Sequence, residues 1–254
     1  MKVWAVLPAY NEAEALPLLL AAYRTVRGTV LSNLQVFVID DGSTDRTANV
    51  VSDFGADWVE LVSHTTNQGL AQGMRTGFAV ALERAADGDV VVAMDADNTH
   101  LPEQAPAMVT ALAAGADVVI ASRFQPGARM AGIPWFRRLF SWGVSVLFST
   151  LTPIAGVRDF SCGFRAYSVK TLRAASAVWG DRFITEDGFA CQTEILYKLD
   201  RMPGVKFAEI PMDLRYDRKP GPTKMSVGRN IRDMLRLMWR QRWNPPTPPG
   251  EPGK

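Results

Sequence analysis

Short apolar segments alternate with segments of helical periodicity over the first half of this chain, and this order strongly limits its possible folds. The apolar segments span residues 2–7, 35–39, 58–62, 89–94 and 117–121, and the helical ones span 14–26, 43–54, 68–86 and 102–115. Strands that alternate with helices are joined by right-handed crossovers into a largely parallel sheet with helices on both faces. We therefore predict an α/β fold with a doubly wound, mostly parallel sheet, in which Ser43 or Thr44 caps the second helix.

Polar side chains follow the predicted strands at their carboxyl ends, where doubly wound sheets bind ligands. They include Glu12, Asp41, the pair Asp95 and Asp97, and Arg123. If the extended geometry persists beyond residue 94, the carboxylates of the pair point to the same side. Neighbouring carboxylates repel each other unless a cation lies near them, and a divalent cation is the usual partner. The sequence thus predicts a divalent-metal site, with a plain turn as the alternative.

Composition and missing motifs exclude several other classes. A chain of 254 residues can bury one large core plus a small appendage, and a net charge of +2 argues against nucleic-acid binding. Cys162 and Cys191 are too few for a disulfide framework or zinc site, and the isolated His64 and His100 are assigned no metal. Neither a G-x-G-x-x-G fingerprint nor a Walker lysine is present, which argues against dinucleotide oxidoreductases and phosphate-loop nucleotidases. The first residues lack a secretory signal pattern, so we expect a cytoplasmic protein.

Four motifs of the first half occur in a specific order. They read Val-Leu-Pro-Ala-Tyr-Asn-Glu at 6–12, Val-Ile-Asp-Asp-Gly-Ser-Thr-Asp at 38–45, Asn-Gln-Gly-Leu at 67–70 and Met-Asp-Ala-Asp at 94–97. This combination resembles glycosyltransferase family 2, which implies a Rossmann-like fold of nucleotide-sugar transferase type A and inverting transfer from a nucleotide-diphosphate sugar. The resemblance also implies that the donor is bound by Pro8, Tyr10, Glu12, Asp41 and Asp95. It implies Mg²⁺ or Mn²⁺ as the cofactor, with Asp97 as the direct ligand and Asp95 nearer the nucleotide.

Segments of the second half narrow the resemblance to one branch. They read Ala-Ser-Arg-Phe at 121–124, Arg-Arg-Leu-Phe-Ser at 137–141, Asp-Phe-Ser-Cys-Gly-Phe-Arg at 159–165, Gly-Phe-Ala-Cys-Gln-Thr-Glu at 188–194 and Arg-Lys-Pro-Gly-Pro-Thr-Lys at 218–224. These segments resemble the dolichol-phosphate mannose synthases and bacterial polyprenyl-phosphate glycosyltransferases. The catalytic set implied is Asp97, Arg123, Arg137, Ser141 and Asp159, and the donor contacts implied are Gln192, Arg218 and Lys224. Thr99 departs from the branch, which tends to carry a metal-contacting glutamine there, and we predict that its hydroxyl ligates the metal directly or through water.

The predicted reaction moves a hexose, with mannose from GDP-mannose as the best match, to a polyprenyl phosphate. A phosphate monoester has a second pKa near 6, so it is already anionic at neutral pH and needs no protein base. Arginine suits such an acceptor because its forked donors match phosphate geometry. The alternative is a hydroxyl acceptor on a sugar, lipid or small metabolite, with Asp187 or Glu186 as the base or as a cap of the next helix. A non-catalytic membrane-bound scaffold is a third possibility, against which the intact aspartates argue.

Two segments predict contact with a membrane surface. Residues 139–157 carry no charge, but several Ser, Thr, Pro and Gly residues lower the apolar content of this segment. This favours an interfacial helix over one that spans the membrane. Residues 226–243 place Val227, Ile231, Met234, Leu235 and Met238 on one face with arginines largely off it. This pattern is typical of a basic amphipathic helix on an anionic membrane or of a helix packed on the domain. The predicted organisation is a catalytic domain over 1–225, including an acceptor and membrane segment at 124–157, then this helix and a disordered tail at 244–254. We expect peripheral attachment at the cytoplasmic face, and the oligomeric state is left open.

Overall fold

A computed structural model describes residues 1–221 and 227–247, apart from the side chains of Phe136, Arg137, Val227 and Arg229. The strands are β1 (Val3–Ala9), β2 (Leu34–Asp40), β3 (Val59–Ser63), β4 (Val90–Ala93), β5 (Val118–Ser122), β6 (Arg129–Ala131), β7 (Arg165–Ser168), β8 (Phe207–Pro211) and β9 (Asp213–Arg215). A seven-stranded sheet has the order β3-β2-β1-β4-β7-β5-β8, and β6 pairs with β9 in a small second sheet. Only β7 runs antiparallel within the large sheet as described, so the predicted doubly wound, mostly parallel α/β fold is confirmed.

The helices cover both faces of the large sheet and extend beyond it. They are α1 (Leu16–Thr29), α2 (Thr47–Phe54), α3 (Leu70–Arg84), α4 (Ala105–Ala113), α5 (Trp135–Leu151), α6 (Val169–Trp179), α7 (Ala190–Asp200) and α8 (Val227–Trp243). The core lies between the sheet and these helices, where side chains such as Val38, Tyr23 and Phe164 are fully buried. Burial of both sheet faces explains why the central strands read as continuous apolar runs rather than alternating ones.

The predicted cap of α2 at Ser43 or Thr44 is wrong, because α2 begins at Thr47. The Ser43 hydroxyl accepts a hydrogen bond from the Asn11 amide at 2.9 Å, and the Thr44 amide donates to the Asn11 side chain at 2.8 Å. Both residues therefore tie the loop after β2 to the loop after β1. Asp45 takes over the local capping contact, since its carboxylate accepts from the Thr47 amide at 2.9 Å.

Helix α3 packs unusually close to β1 because glycine occupies the contact. A Cβ atom on Gly77 would lie 2.1 Å from Cγ1 of Val6, and one on Gly73 would lie 3.1 Å from Cβ of Pro8. Only a residue without a side chain permits this separation. The close packing fixes the carboxyl end of β1, and with it the start of the loop that carries Tyr10 and Glu12.

Helices α5 and α8 carry large apolar side chains on their outer surfaces. None of the helices within the described residues is both long and apolar enough to cross a bilayer. On α8, Met234, Leu237 and Met238 are buried against the protein, while Trp239 and Trp243 are 66% and 63% exposed. Of the predicted apolar face, Met234 and Met238 thus pack on the domain, whereas Leu235 is 39% exposed. The two exposed tryptophans were not part of the predicted face. The last residues of the predicted tail, 248–254, lie outside the described part of the chain.

Candidate active site

The predicted metal-binding segment is a turn directly after β4. The strand ends at Ala93, so the extended geometry does not persist and strand alternation does not set the directions of Asp95 and Asp97. Asn98 adopts a left-handed backbone with φ of 60°, a conformation that Asn tolerates better than most residues. This turn lets the amide and hydroxyl of Thr99 donate to Oδ1 of Asp97, at 3.1 and 2.6 Å. Thr99 is 3% exposed and orients the Asp97 carboxylate in this structure.

Lys219 supplies the positive charge closest to this turn. Its Nζ lies 2.7 Å from Oδ2 of Asp97, and the side chains of Lys219 and Asp97 are 15% and 14% exposed. Burial opposes ionisation of Asp97, but the neighbouring His100 and Lys219 outweigh it and hold the pKa of this carboxyl below its usual range. Burial likewise disfavours the charged form of Lys219, yet Asp97 outweighs that effect and the pKa of the ammonium is raised. An ammonium group therefore lies beside Asp97, the residue that the sequence predicts to bind a divalent metal ion.

Asp95 lies deeper than Asp97, next to the start of α7. A Cβ atom on Gly163 would lie 3.2 Å from Oδ1 of Asp95 and 3.4 Å from Nε2 of Gln192, so this glycine lets the two side chains come together. Burial raises the pKa of Asp95, which His100 partly opposes and the charge of Asp97 increases. Gln192 is 1% exposed, and its Oε1 has no hydrogen-bond partner among the described residues. The structure therefore brings the predicted donor contacts Asp95 and Gln192 into one buried group.

The donor atoms of this turn fit a hard divalent cation. Carboxylate oxygens are the preferred ligands of Mg²⁺ and Mn²⁺, and the ammonium of Lys219 marks a cation position beside Asp97. Within the described ranges, no group of three or more His, Cys, Asp or Glu side chains could hold a metal ion alone. Mg²⁺ usually binds one or two carboxylates and completes its shell with water and substrate phosphates. The residues present thus fit a metal that is held jointly by the protein and a phosphorylated ligand.

The carboxylate of Asp41 connects the loops after β2 and β3. It accepts hydrogen bonds from the amides of Gln68 and Gly69, at 2.9 and 2.7 Å. His64 lies against the same carboxylate through Nδ1 at 2.7 Å and against Thr76 through Nε2 at 2.9 Å. The sequence analysis assigned His64 no role; in the structure it follows β3 and connects Asp41 to Thr76 of α3.

The remaining predicted nucleoside-pocket residues lie on the neighbouring loop after β1. Pro8 is half-buried at the end of β1, and Tyr10 is 37% exposed. The amide of Glu12 donates to the hydroxyl of Thr47 at 2.9 Å, which fixes the loop against the start of α2. Together with Asp41, these residues line one edge of the sheet, as expected, and their contact with a nucleoside stays a prediction.

Arg123 and Asp159 form a buried, two-pronged ion pair. The guanidinium donates to Asp159 through Nε at 2.8 Å and through Nη2 at 2.6 Å, and Nη2 also donates to the Ser161 hydroxyl at 2.6 Å. Asp159 is fully buried, and although burial raises its pKa, the contacts of Arg123 outweigh that and lower it. Two predicted catalytic residues are thus paired with each other. Arg123 keeps one guanidinium nitrogen, Nη1, without such a contact among the described residues.

The other predicted acceptor and donor residues are less well defined. Ser141 is half-buried on α5, while the side chain of Arg137 lies outside the described residues, as does the whole of Lys224. Arg218 is exposed, and it is the adjacent Lys219, which the sequence analysis did not select, that reaches Asp97. The sequence signal for Lys219 was its position beside Arg218 in a loop already linked to the donor.

An acidic network that the sequence did not predict links α7 to α8. The buried Glu194 accepts hydrogen bonds from the amides of Thr185 and Glu186, both at 2.7 Å, and from Lys198 at 2.6 Å. Arg240 of α8 lies 2.6 Å from Glu186. The predicted capping role of residues 185–187 is wrong, because the residue before α7, Phe189, makes no side-chain cap and these amides turn to Glu194 instead. The exposed Asp187 takes no part in the described contacts of this network.

The sheet, the carboxylate turn and the loops around it define a glycosyltransferase fold of type A with carboxylates that fit a divalent cation. The chain belongs to glycosyl transferase family 2, whose model matches residues 4–174. It is 34% identical over 248 residues to the undecaprenyl-phosphate mannosyltransferase of Micrococcus luteus, covering 96% of each chain. It is 30% identical to the polyprenol monophosphomannose synthase of Mycolicibacterium smegmatis, covering 91% of this chain and 83% of that one.

Solved structures agree with this fold. Glucosyl-3-phosphoglycerate synthase from Mycobacterium tuberculosis, in complex with Mn²⁺, uridine diphosphate and phosphoglyceric acid, superposes with a TM-score of 0.69. The two sequences are 20% identical, and the match covers 97% of this chain and 80% of that chain. The same enzyme in complex with Mg²⁺ and uridine diphosphate gives a TM-score of 0.69 as well. At this identity the likeness supports the fold alone.

Proposed function

We propose that this enzyme transfers a hexose, with mannose from GDP-mannose as the preferred donor, to a polyprenyl phosphate with inversion at the anomeric carbon. The reaction takes place at the cytoplasmic face of the membrane, to which the enzyme is peripherally attached. The two relatives named above support a polyprenyl-phosphate acceptor and mannose as the sugar, because their names contain undecaprenyl phosphate or polyprenol and a mannose group.

The observation that carries this proposal is the exposed apolar surface of α5. Leu139, Phe140 and Trp142 are 57%, 65% and 56% exposed, and Trp135 at the start of the helix is 75% exposed. Exposed apolar clusters of this kind indicate a binding surface or a membrane contact. A lipid-linked acceptor brings its hydrocarbon chain to this surface, and the same helix carries Ser141, one of the residues expected to meet the acceptor phosphate.

The described contacts fit a phosphate acceptor better than a hydroxyl acceptor. A hydroxyl must lose a proton to a base during attack, whereas a phosphate monoester is already anionic at neutral pH. Of the two candidate bases, Glu186 is held by Arg240 at 2.6 Å and its side chain is 19% exposed. Because Arg240 already engages Glu186, Asp187 is the candidate base left for the alternative reaction.

The reaction forms a bond from an acceptor phosphate oxygen to the anomeric carbon as the bond to the donor diphosphate breaks. The nucleoside diphosphate leaves with the electron pair. Asp97 and Asp95 would hold a Mg²⁺ or Mn²⁺ ion, which when bound would supply Lewis-acid stabilisation of charge on the diphosphate. Lys219 adds a second positive charge beside Asp97, and Nη1 of Arg123 is available to donate to the acceptor phosphate.

Incubation of the full chain with Mn²⁺, radiolabelled GDP-mannose and a polyprenyl phosphate tests the proposal. The expected product is a mannosyl lipid of β configuration, formed together with one equivalent of GDP. The matching polyprenol, which ends in a hydroxyl, should accept no sugar, and other nucleotide sugars should react more slowly. Transfer to polyprenol or to a sugar hydroxyl, with none to the phosphate, would refute it.

Substitution of Asp187 separates the two acceptor classes. Asp187→Asn should leave transfer to polyprenyl phosphate within about twofold of the wild type, because the nucleophile needs no base. Asp181→Asn is a matched control, since Asp181 is also an exposed aspartate between α6 and α7. Loss of turnover in the Asp187 variant alone, with donor affinity unchanged, would favour a hydroxyl acceptor.

A further inference from the structure

A cavity of about 490 Å³ opens between the carboxyl-terminal ends of α5, α7 and α8. Its lining includes Leu151, Tyr197, Asp200, Arg201, Gln241 and Arg242. Asp200 is eight residues beyond Gln192 on α7, which corresponds to about 12 Å of helix at 1.5 Å per residue. The cavity is therefore separate from the carboxylate turn and from the donor contacts described above. Its size is within the range that small-molecule sites occupy.

Gln241 gives this cavity an unmet capacity for hydrogen bonds. The residue is 5% exposed and lines the cavity, and neither Nε2 nor Oε1 has a partner among the described residues. Buried side-chain amides nearly always have partners, supplied by protein, water or a ligand. An amide that can donate through Nε2 and accept through Oε1 matches a hydroxyl group, which can also do both.

The charges around the cavity favour an anionic ligand. Arg201 and Arg242 are exposed cations on its wall, and Asp200 contributes one carboxyl group, so the cationic groups outnumber the carboxyl group. Burial raises the pKa of Asp200, which Arg201 partly opposes. Guanidinium groups bind phosphate oxygens with paired donors, and a carboxylate can accept from a ligand hydroxyl. The wall therefore matches a phosphate that carries hydroxyl groups nearby.

The cavity adjoins the exposed apolar surface of the two outer helices. Leu151 on its wall is 44% exposed, and the guanidinium carbon of Arg242 lies 4.8 Å from the ring centroid of Trp243. Trp243 in turn lies 5.6 Å from Trp239, and both rings are exposed. A ligand headgroup in the cavity thus has apolar surface beside it for hydrocarbon chains.

We propose that this cavity binds a hydroxyl-bearing phosphodiester, as found in the headgroup of an anionic glycerophospholipid or in its soluble diester. Arg201 and Arg242 contact the phosphate, and Gln241 and Asp200 contact the hydroxyls. In the lipid, the acyl chains extend along Leu151 and Trp243. This site is distinct from the acceptor site of the proposed function, so either proposal can fail without the other.

Vesicle binding of the full chain tests the headgroup chemistry. Phosphatidylcholine vesicles are prepared with equal fractions of phosphatidylglycerol or phosphatidylmethanol, which carry the same charge and differ in the headgroup hydroxyls. Tryptophan fluorescence and co-sedimentation should show roughly fivefold tighter binding to phosphatidylglycerol, the effect of about one net hydrogen bond. Equal binding to the two lipids, with no effect of the soluble diester described below, would overturn the proposal.

Variants locate the preference in the cavity. Gln241→Leu changes no charge and should reduce the preference to about one. Asp200→Ala, at an exposed position of the cavity wall, removes the other proposed hydroxyl contact and serves the same purpose should the buried substitution disturb folding, as checked by circular dichroism. Arg236→Ala is the control, because Arg236 is an exposed arginine of α8 outside the cavity lining. It should weaken binding to both vesicles equally and keep the preference. A preference that survives both Gln241→Leu and Asp200→Ala would place the binding elsewhere and refute the assignment.

A soluble diester distinguishes the two sources of this chemistry. Glycerophosphoglycerol is added to the protein without vesicles, and the midpoint temperature of thermal unfolding is measured. A ligand that binds the folded protein raises this temperature by mass action. A rise in the wild type that is absent in Gln241→Leu identifies a soluble phosphodiester as sufficient. No rise, together with the vesicle preference, identifies the lipid as the ligand.

Discussion

The ion pair between Arg123 and Asp159 gives a sharp test of what these residues do, and Arg123→Met is the perturbation. This change removes two hydrogen bonds from the guanidinium to Asp159, at 2.8 and 2.6 Å, and one to Ser161 at 2.6 Å. Methionine fills part of the volume but offers no donor. Asp159 keeps only the amides of Arg123 and Cys162 as partners, at 3.0 and 3.1 Å, while its carboxylate stays fully buried.

The loss of unfolding free energy in Arg123→Met can be estimated from the burial of Asp159, the partner that remains. Removing one member of a buried pair leaves an uncompensated charge, which typically costs about 3–5 kcal/mol of unfolding free energy. For a chain of this size that corresponds to a fall of about 6–20 °C in melting temperature. The exposed pair of Arg84 and Glu60 is a matched control, because it is also two-pronged, at 2.5 and 2.8 Å, with side chains 44% and 37% exposed. Arg84→Met should cost no more than about 1 kcal/mol.

The pH dependence distinguishes this cause from simple loss of packing. In the wild type, Arg123 holds the pKa of Asp159 below its usual value, so the pair stabilises the protein above the unfolded pKa and loses its effect as the pH falls through the folded pKa. In Arg123→Met, the backbone hydrogen bond from residue 123 and the charge of Arg165 remain to oppose the effect of burial, and we expect the pKa of Asp159 to rise above its unfolded value. The variant is then destabilised increasingly as the pH rises through that raised pKa. The difference in unfolding free energy between the wild type and Arg123→Met should therefore become smaller as the pH is lowered from about 7 to about 5.

Urea denaturation of the wild type and both variants at the two pH values measures these quantities. Arg123→Met should be the less stable variant at neutral pH by several kcal/mol, and acidification should recover part of that loss. The reasoning fails if Arg123→Met and Arg84→Met cost the same, or if the loss in Arg123→Met is independent of pH. A variant that remains stable but no longer transfers sugar would instead assign Arg123 mainly to the acceptor phosphate.

Three further predictions concern the site and its support. Asp97→Ala should abolish metal-dependent donor binding, and calorimetry that finds the same donor affinity with and without a chelator would contradict this. Lys219→Met should bind Mn²⁺ roughly fivefold more tightly in the absence of donor, because one competing unit charge near the carboxylate is worth about 1 kcal/mol in water; electron paramagnetic resonance of free Mn²⁺ measures the change, and unchanged affinity argues against competition. Gly77→Ala should lower stability by about 1–3 kcal/mol through overpacking, whereas Gly28→Ala, where a Cβ meets nothing within 4 Å, should not; equal melting temperatures would refute the close packing of α3 on β1.

The sequence predicts the parallel part of the fold well because that part is encoded locally. Each of the five predicted strands corresponds to one of β1 to β5, since buried apolar runs bounded by polar loops have few other structures. The antiparallel strand β7 was not predicted, because its place between β4 and β5 depends on pairing with residues far away in the chain. Local periodicity carries no information about that choice of neighbour.

The candidate site likewise has a part that the local sequence encodes and a part that depends on contacts between distant residues. The carboxylates of Asp95 and Asp97 are visible as a motif, and the turn that holds them is local. Lys219 is 122 residues from Asp97, and the contact of Arg123 with Asp159 spans 36 residues. Such contacts form only when loops from different strands meet at one edge of the sheet, so the sequence can nominate the residues but cannot pair them.

The segment Thr185-Glu186-Asp187 shows how contacts decide between two meanings of one motif. By sequence it is a source of a catalytic base or a helix cap. In the structure, the amides of Thr185 and Glu186 bind Glu194, and the Glu186 carboxylate binds Arg240. These bonds attach the loop before α7 to α8, the helix whose tryptophans face outward. Because Gln192 lies in the first turn of α7, the acidic segment connects this predicted donor contact to the outer surface. This structural role accounts for Glu186 without a proton transfer.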